Sequence, residues 1–207
     1  MSSDSNLNTK FPLWVLRPVE KTLGIYANWA ASYDDDLAEA GYETPHRIAA
    51  ALTKLTTPDT RILDFGCGTG LSGHALQMAE FTNLDCSDIS ATMLNTAQSQ
   101  NIYSRLWKSQ PGEMTDVTAG QYDVIVAAGV AYLGAAPPET LSVIIDHLAP
   151  EGLIGLSFHD PTLDHGSYEA VLDQEILLDR VRTLSCTHGP HWRQQEIGSN
   201  VIVLQRL

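Results

Sequence analysis

The sequence predicts an α/β protein: a Rossmann-like, doubly wound, mostly parallel seven-stranded sheet with an antiparallel C-terminal hairpin strand, preceded by N-terminal helices. Short apolar runs bounded by turn residues alternate with helical periodicity from about residue 60 onward, the pattern of strands joined by crossover helices. A glycine-rich loop follows the first run and opens a helix, as at the ligand crevice of an open parallel sheet. Two final runs within residues 180–207 lie close enough in sequence to form a hairpin.

Taken in chain order, Tyr26, Trp29, Ala30 and Tyr33 recur at i, i+3, i+4 and i+7 and form the apolar stripe of a first helix. This helix precedes the first strand by about thirty residues, so it must pack back across the crevice or leave its aromatic stripe in water. Thr44 and Pro45 supply an N-cap and N1 pair for a second helix carrying Ile48, Ala49, Leu52 and Leu55. Strands are expected at residues 61–65, 81–86, 105–108, 122–128, 153–158 and 201–204, and most of these runs are continuous enough to be buried on both faces. The helix after the glycine loop carries Leu71, Ala75, Met78 and Ala79, and Pro137 and Pro138 start another with Leu141, Ile144, Ile145 and Leu148. His188, Gly189, Pro190, His191 and Trp192 are expected in the loop of the C-terminal hairpin. Residues 1–20 read as a flexible segment and 21–207 as a single domain.

A chain of 207 residues with 43% hydrophobic and 18% charged residues can bury one sizeable core. No apolar run approaches the ~20 residues that span a bilayer. The N-terminus lacks a secretory signal's basic start and apolar stretch. Cys67, Cys86 and Cys186 are odd in number and without CxxC spacing, which suits a reducing cytoplasm and offers no metal site. The net charge of −13, with scattered Lys and Arg, disfavours nucleic acid, whose binding depends on clustered cations. The run Asp34, Asp35, Asp36 reads as a solvated helix flank. A cytoplasmic protein is expected, acting on neither membrane nor nucleic acid.

Residues Asp64, Phe65, Gly66, Cys67, Gly68, Thr69 and Gly70 carry the most information. Glycine admits φ > 0 and close approach of a ligand, while the next helix presents free N–H groups at its positive end. Gly68, Gly70 and Gly73 also satisfy GxGxxG, with Asp85 and Asp88 downstream, the spacing of a dinucleotide fingerprint. Against that reading, a carboxylate at Asp64 would oppose a pyrophosphate, yet would suit an α-ammonium group, and little chain remains for a separate substrate domain.

The DFGCGTG of residues 64–70 closely resembles the first motif of class I S-adenosylmethionine-dependent methyltransferases, and Asp88, Ile89, Ser90, Ala91, Thr92, Met93, Leu94 is similar to that family's DxSxxML. Residues 26–34 with Gly41, Tyr42 and Pro45 are similar to the opening of the methyltransferase-like proteins named after the Williams–Beuren syndrome chromosome region. The resemblance spans roughly residues 22–160. It implies S-adenosylmethionine as cofactor and S-adenosylhomocysteine as product. It places Asp64, Gly66, Gly68 and Gly70 around the methionine part and sugar, Asp88 rather than Asp85 on the ribose, and Tyr33 over the cofactor. Gln110 falls where the family has an acid that accepts from adenine, and its neutral amide oxygen can still accept. Met93 either packs on the adenine or serves the helix core.

Methyl transfer is an in-line displacement governed mainly by positioning, so the scaffold predicts the donor better than the acceptor. Gly129, Tyr132, His159 and Asp160 fall at strand ends where an acceptor would lie, with His159 the candidate base. Trp29, Tyr26 and Tyr132 are candidate walls for a small-molecule acceptor. A non-catalytic sensor of the same cofactor is the alternative function.

Overall fold

A computed structural model describes Leu7, Phe11 and residues 13–207. Three helices come first, α1 (Val19–Trp29), α2 (Tyr33–Ala40) and α3 (Thr44–Leu52). They are followed by β1 (Ile62–Phe65), α4 (Leu71–Met78), β2 (Leu84–Asp88), α5 (Ala91–Ser99), β3 (Arg105–Lys108), β4 (Tyr122–Ala127) and α6 (Thr140–His147). The chain closes with β5 (Leu148–His159), α7 (Asp160–His165), α8 (Ser167–Leu177), β6 (Val181–Trp192), a 3₁₀ turn (Arg193–Gln195) and β7 (Ile197–Arg206). The seven strands lie in the order β3-β2-β1-β4-β5-β7-β6, parallel except that β7 runs antiparallel to β5 and β6. Strand order reverses between β1 and β4, which opens a crevice at their C-terminal ends.

Alternation along the strands divides the core. Leu63, Phe65, Ile125, Ala127, Ile154 and Leu156 face one way, against Ile144, Ile145, Tyr168 and Leu172. Ile62, Val124, Val126, Leu153, Val201 and Val203 face the other, against Ile48, Leu52 and Leu76. Period-two alternation sends successive side chains to opposite faces, and both faces are covered, hence the continuous apolar runs.

Several expectations are corrected. The aromatic stripe spans a break: α1 stops at Trp29 and Tyr33 begins α2. The Trp29 indole donates to Asp36 at 2.6 Å and the Ser32 hydroxyl donates to the same oxygen at 2.8 Å, so a tertiary anchor at the junction replaces continuous helix. The aspartate run is therefore only partly solvated, since Asp34 also accepts from Thr69 at 2.6 Å. Strand β2 begins at Leu84, after Phe81 has turned into the core beside Leu76. Strand β5 begins at Leu148, with a bulge opposite Tyr122 and Val124. Met78 is 65% exposed, because the short α4 buries Ser72, Gly73, Ala75 and Leu76 instead. Leu55, beyond the end of α3, is also exposed. His188–Trp192 belong to β6, and the hairpin turn falls at Arg193–Gln195. Arg47 of α3 ties this segment down, donating to Thr187 O at 2.7 Å and Pro190 O at 3.1 Å.

Half of the stretch expected to be flexible, residues 1–20, falls outside the described residues. Of the rest, Leu7 and Leu13 are buried and Phe11 stacks on Trp29 at 4.4 Å, while Val15 and Leu16 are exposed. Among the described residues no helix is long and apolar enough to cross a membrane.

Candidate active site

A cavity of about 430 Å³ lies at the C-terminal ends of β1, β2 and β4. Its floor is the glycine loop. Gly66 turns with φ +73°, and a Cβ there would lie 2.5 Å from Val130 Cγ2. Its N–H donates to Ser87 O at 2.8 Å. Gly68 has φ +56° and open space where a side chain would project, and its N–H donates to Asp88 Oδ2 at 2.9 Å. The other Asp88 oxygen accepts from Ser90 N at 2.7 Å. Burial nonetheless pushes the Asp88 carboxyl above its ordinary range. Asp88 lines the cavity, whereas Asp85 accepts from Tyr122 at 2.7 Å and does not.

The opposite wall comes from α1 and the loop after β4. Leu16, Arg17, Val19, Thr22 and Tyr26 face Gly129, Val130 and residues 134–138, with Tyr168 of α8 behind them. Helix α1 is tied to that loop. Thr22 donates to Gly134 O at 2.6 Å, Arg17 Nε to the same oxygen at 3.2 Å, and the Tyr26 and Tyr132 hydroxyls pair. The helix thus packs across the crevice, where its aromatic stripe is covered. Burial raises the Tyr26 and Tyr33 hydroxyls well above their usual range, so both stay neutral and can donate.

Of the candidate site residues read from the sequence, Tyr26, Tyr33, Gly66, Gly68, Asp88, Met93 and Gly129 line the cavity. Asp64, Gly70, Gln110, Trp29, Tyr132, His159 and Asp160 do not, each for a visible reason. Asp64 is fully buried beneath the loop. It accepts from Ser72 and Tyr103 at 2.6 Å each, so it shapes the loop from below rather than meeting an ammonium group. Gly70, φ +102°, caps α4 and does not line the cavity. The Gln110 side chain is exposed, and its neighbours Ser109, Pro111 and Gly112 line the cavity in its place. Trp29 is a core residue, 1% exposed, and the hydroxyl of Tyr132 is turned to Tyr26.

His159 is buried outside the cavity lining. Its Nδ1 pairs with Thr162 Oγ1 at 2.9 Å, and its ring packs on Tyr132, His191 and Trp14. Desolvation lowers its pKa to about 4. A histidine behind Tyr132 with so weak a hold on a proton is not placed to serve an acceptor. Asp160 likewise binds Gly198 N and His188. Among the described residues, no cluster of three or more His, Cys, Asp or Glu could hold a metal.

The sequence left unassigned several cavity residues: Leu16, Arg17, Val19, Tyr168 and the Pro137–Pro138 edge. Tyr42, noted there only as part of a motif, lines the cavity with its hydroxyl against Gly129. Tyr103, which only marks the approach to the third strand in the sequence, has a structural role as well. It explains the rival glycine pattern, since a Cβ on Gly73 would lie 2.2 Å from the Tyr103 oxygen. The third glycine of GxGxxG makes room for a tyrosine, not for a pyrophosphate.

A glycine loop braced by the acid of the next strand, a crevice at the order reversal, a helix across it and an antiparallel β7 define a class I S-adenosylmethionine-dependent methyltransferase. Residues 63–154 match the methyltransferase domain family. Over 172 residues the chain is 31% identical to methyltransferase-like protein 27 of Homo sapiens, covering 81% of this chain and 68% of that one. It belongs to that methyltransferase-like family, named after the Williams–Beuren region. A second relative, malonyl-[acyl-carrier protein] O-methyltransferase of Halalkalibacterium halodurans, is 28% identical over 148 residues, which cover 64% of this chain and 52% of that one. Among solved structures, magnesium protoporphyrin IX methyltransferase from Synechocystis PCC 6803, with bound S-adenosylhomocysteine, shares the fold at a TM-score of 0.63. Its sequence identity is 18%, covering 84% of this chain and 86% of that one. A TehB-like methyltransferase from Corynebacterium glutamicum gives 0.62 at 21% identity, covering 88% and 98%.

Proposed function

We propose that this enzyme transfers the methyl group of S-adenosylmethionine to a small-molecule acceptor bound in the same cavity as the donor. The observation that carries this reading is that one cavity runs from the ribose-side acid Asp88 to the apolar wall of Leu16, Val19, Val130 and Pro137. A donor seated by Asp88 and the glycine loop would meet an acceptor held against that wall. The net charge of −13 argues against a nucleic acid.

The residues present fit the cofactor. Asp88 would accept from the ribose hydroxyls, the backbone of Gly66 and Gly68 would face the sugar and methionine part, and Tyr33 would cover them. Met93 and the Ser109–Gly112 edge would border the adenine, while Asp64 and Gly70 act by shaping the loop. When bound, the donor supplies an electrophilic methyl on a sulfonium. The chain orients the partners and excludes water, and such positioning is worth effective molarities of ~10⁵ M or more. Tyr26 and Tyr33 contribute neutral hydrogen-bond donors. We place all of this in one domain, residues 21–207, acting in the cytoplasm.

Two measurements test the reading. Calorimetry should show S-adenosylmethionine and S-adenosylhomocysteine binding while NADH does not. Methyl-labelled donor incubated with protein and a metabolite extract should place label in the low-molecular-mass fraction. Label recovered instead in RNA or protein would overturn the small-molecule assignment.

A further inference from the structure

Three carboxylates hold the glycine loop. Asp88 binds Gly68 N and Asp34 binds the Thr69 hydroxyl, both near the cavity. The third, Asp64, sits at the end of β1, fully buried, with Oδ1 unpartnered. Its Oδ2 gathers the Ser72 and Tyr103 hydroxyls at 2.6 Å each, and the Gly73 backbone N–H helps to hold the carboxyl's pKa down. Ser72 and Gly73 belong to the first turn of α4, so this carboxylate fixes where that turn starts and therefore how the loop is presented. Tyr103 comes from elsewhere, the connection between α5 and β3. Its ring passes under α4, with Cε2 3.6 Å from a Cβ position on Gly70 and the hydroxyl in the space that a Cβ on Gly73 would fill.

We propose that Tyr103, outside the cavity and outside both cofactor motifs, is a positioning residue that sets the glycine loop for the cofactor by holding Asp64. The argument is one of hydrogen-bond supply. A buried carboxylate is tolerated only while donors compensate for lost water, and this one already has an oxygen without a partner. Burial raises the Asp64 pKa to about 6, opposed by the Ser72 and Tyr103 donors. Asp88 faces it from β2 and also raises it. The Cys67 thiol in the loop and Tyr42 lie within its field, and Cys86 is its neighbour on β2. Without the Tyr103 hydroxyl, Asp64 would take up a proton nearer neutrality and loosen its hold on the α4 turn. Tyr103 does not itself line the cavity; its ring packs against Cys67, Cys86, Leu94 and Ala97, and its hydroxyl reaches Asp64.

The test rests on cofactor binding by the wild type, which serves as reference. Tyr103→Phe keeps the ring and removes only the donor. S-adenosylhomocysteine affinity should fall roughly tenfold at pH 7, in line with loss of a hydrogen bond to a charged group. The wild-type affinity should decline as pH falls through about 6, and the variant's decline should begin at higher pH. Unchanged affinity with an unchanged pH profile would show Tyr103 to be mere packing. Gly73→Ala approaches the same contact from the other side and keeps the question answerable if Tyr103→Phe folds poorly. It should weaken binding by pushing the Tyr103 hydroxyl off Asp64, with the same upward shift in the pH at which affinity begins to decline. A Gly73→Ala chain with wild-type affinity and a wild-type pH profile would overturn the proposal.

Discussion

The Asp88 carboxylate accepts the Gly68 N–H at 2.9 Å, so the acid ending β2 and the loop ending β1 form one unit before any cofactor arrives. Removing the acid should therefore both delete a ribose partner and release the loop. Asp88→Ala should weaken S-adenosylmethionine binding by roughly 1.5–3 kcal/mol. Asp85→Ala should leave calorimetric affinity near wild type, because Asp85 serves Tyr122. The opposite ranking would move the ribose contact three residues upstream along β2, from Asp88 to Asp85.

Gly66 meets two constraints at once: φ +73° and the Val130 methyl 2.5 Å from any Cβ. A left-handed conformation costs a non-glycine residue about 1–2 kcal/mol, and overpacking adds a comparable amount. Gly66→Ala should lower the melting temperature and abolish measurable cofactor binding. Adding Val130→Ala should recover part of the stability, leaving the backbone term.

Helix α1 is fastened to the loop after β4 through Thr22, Arg17 and Tyr26. If that fastening closes the site, loosening it should expose bound cofactor. Thr22→Val and Tyr26→Phe should each cost about 1 kcal/mol of S-adenosylhomocysteine affinity. Ligand protection of α1 against limited proteolysis should shrink in both. Cleavage rates indifferent to saturating ligand in the wild type would show that α1 takes no part in covering the cofactor.

His159 gives a pH prediction with a definite sign. Its folded-state pKa of about 4 lies below the ordinary 6.5, so the unfolded chain binds the extra proton. Its contribution is complete above 6.5 and is lost as pH falls toward 4, on the order of 3 kcal/mol. His191, lowered by burial, acts in the same sense. Asp64, raised to about 6, acts in the opposite one. In thermal melts, His159→Gln should lose less stability between pH 6.5 and 4 than the wild type. With His159 outside the cavity, the methyl-transfer rate above pH 6.5 should keep its wild-type pH profile.

Much of the architecture was legible because it rests on local chemistry. Short apolar runs bounded by turn residues, such as residues 122–128, fit strands covered on both faces, and the glycines of 64–70 supply backbone conformations that other residues avoid. Strand ends were less legible. Phe81 and Leu148 are apolar in either role, and only packing assigns Phe81 to the core and Leu148 to β5. Residues 188–192 read as a loop through Gly189 and Pro190, but pairing with β7 and Arg47 on the carbonyls of Thr187 and Pro190 keep them in β6.

The sequence by itself determined the fold class and the glycine loop, and it set Asp88 ahead of Asp85 for the proposed ribose contact, since each depends on residue types at fixed spacing along the chain. Tertiary structure alone decided which side chains face the cavity. Tyr103, Tyr168 and Arg17 come from distant segments with no shared spacing. His159, Trp29 and Asp64, chemically suited to a site, are instead buried behind it. Strand and helix periodicity says that a residue is inside. Whether that inside is core or cavity depends on what the rest of the chain brings to meet it.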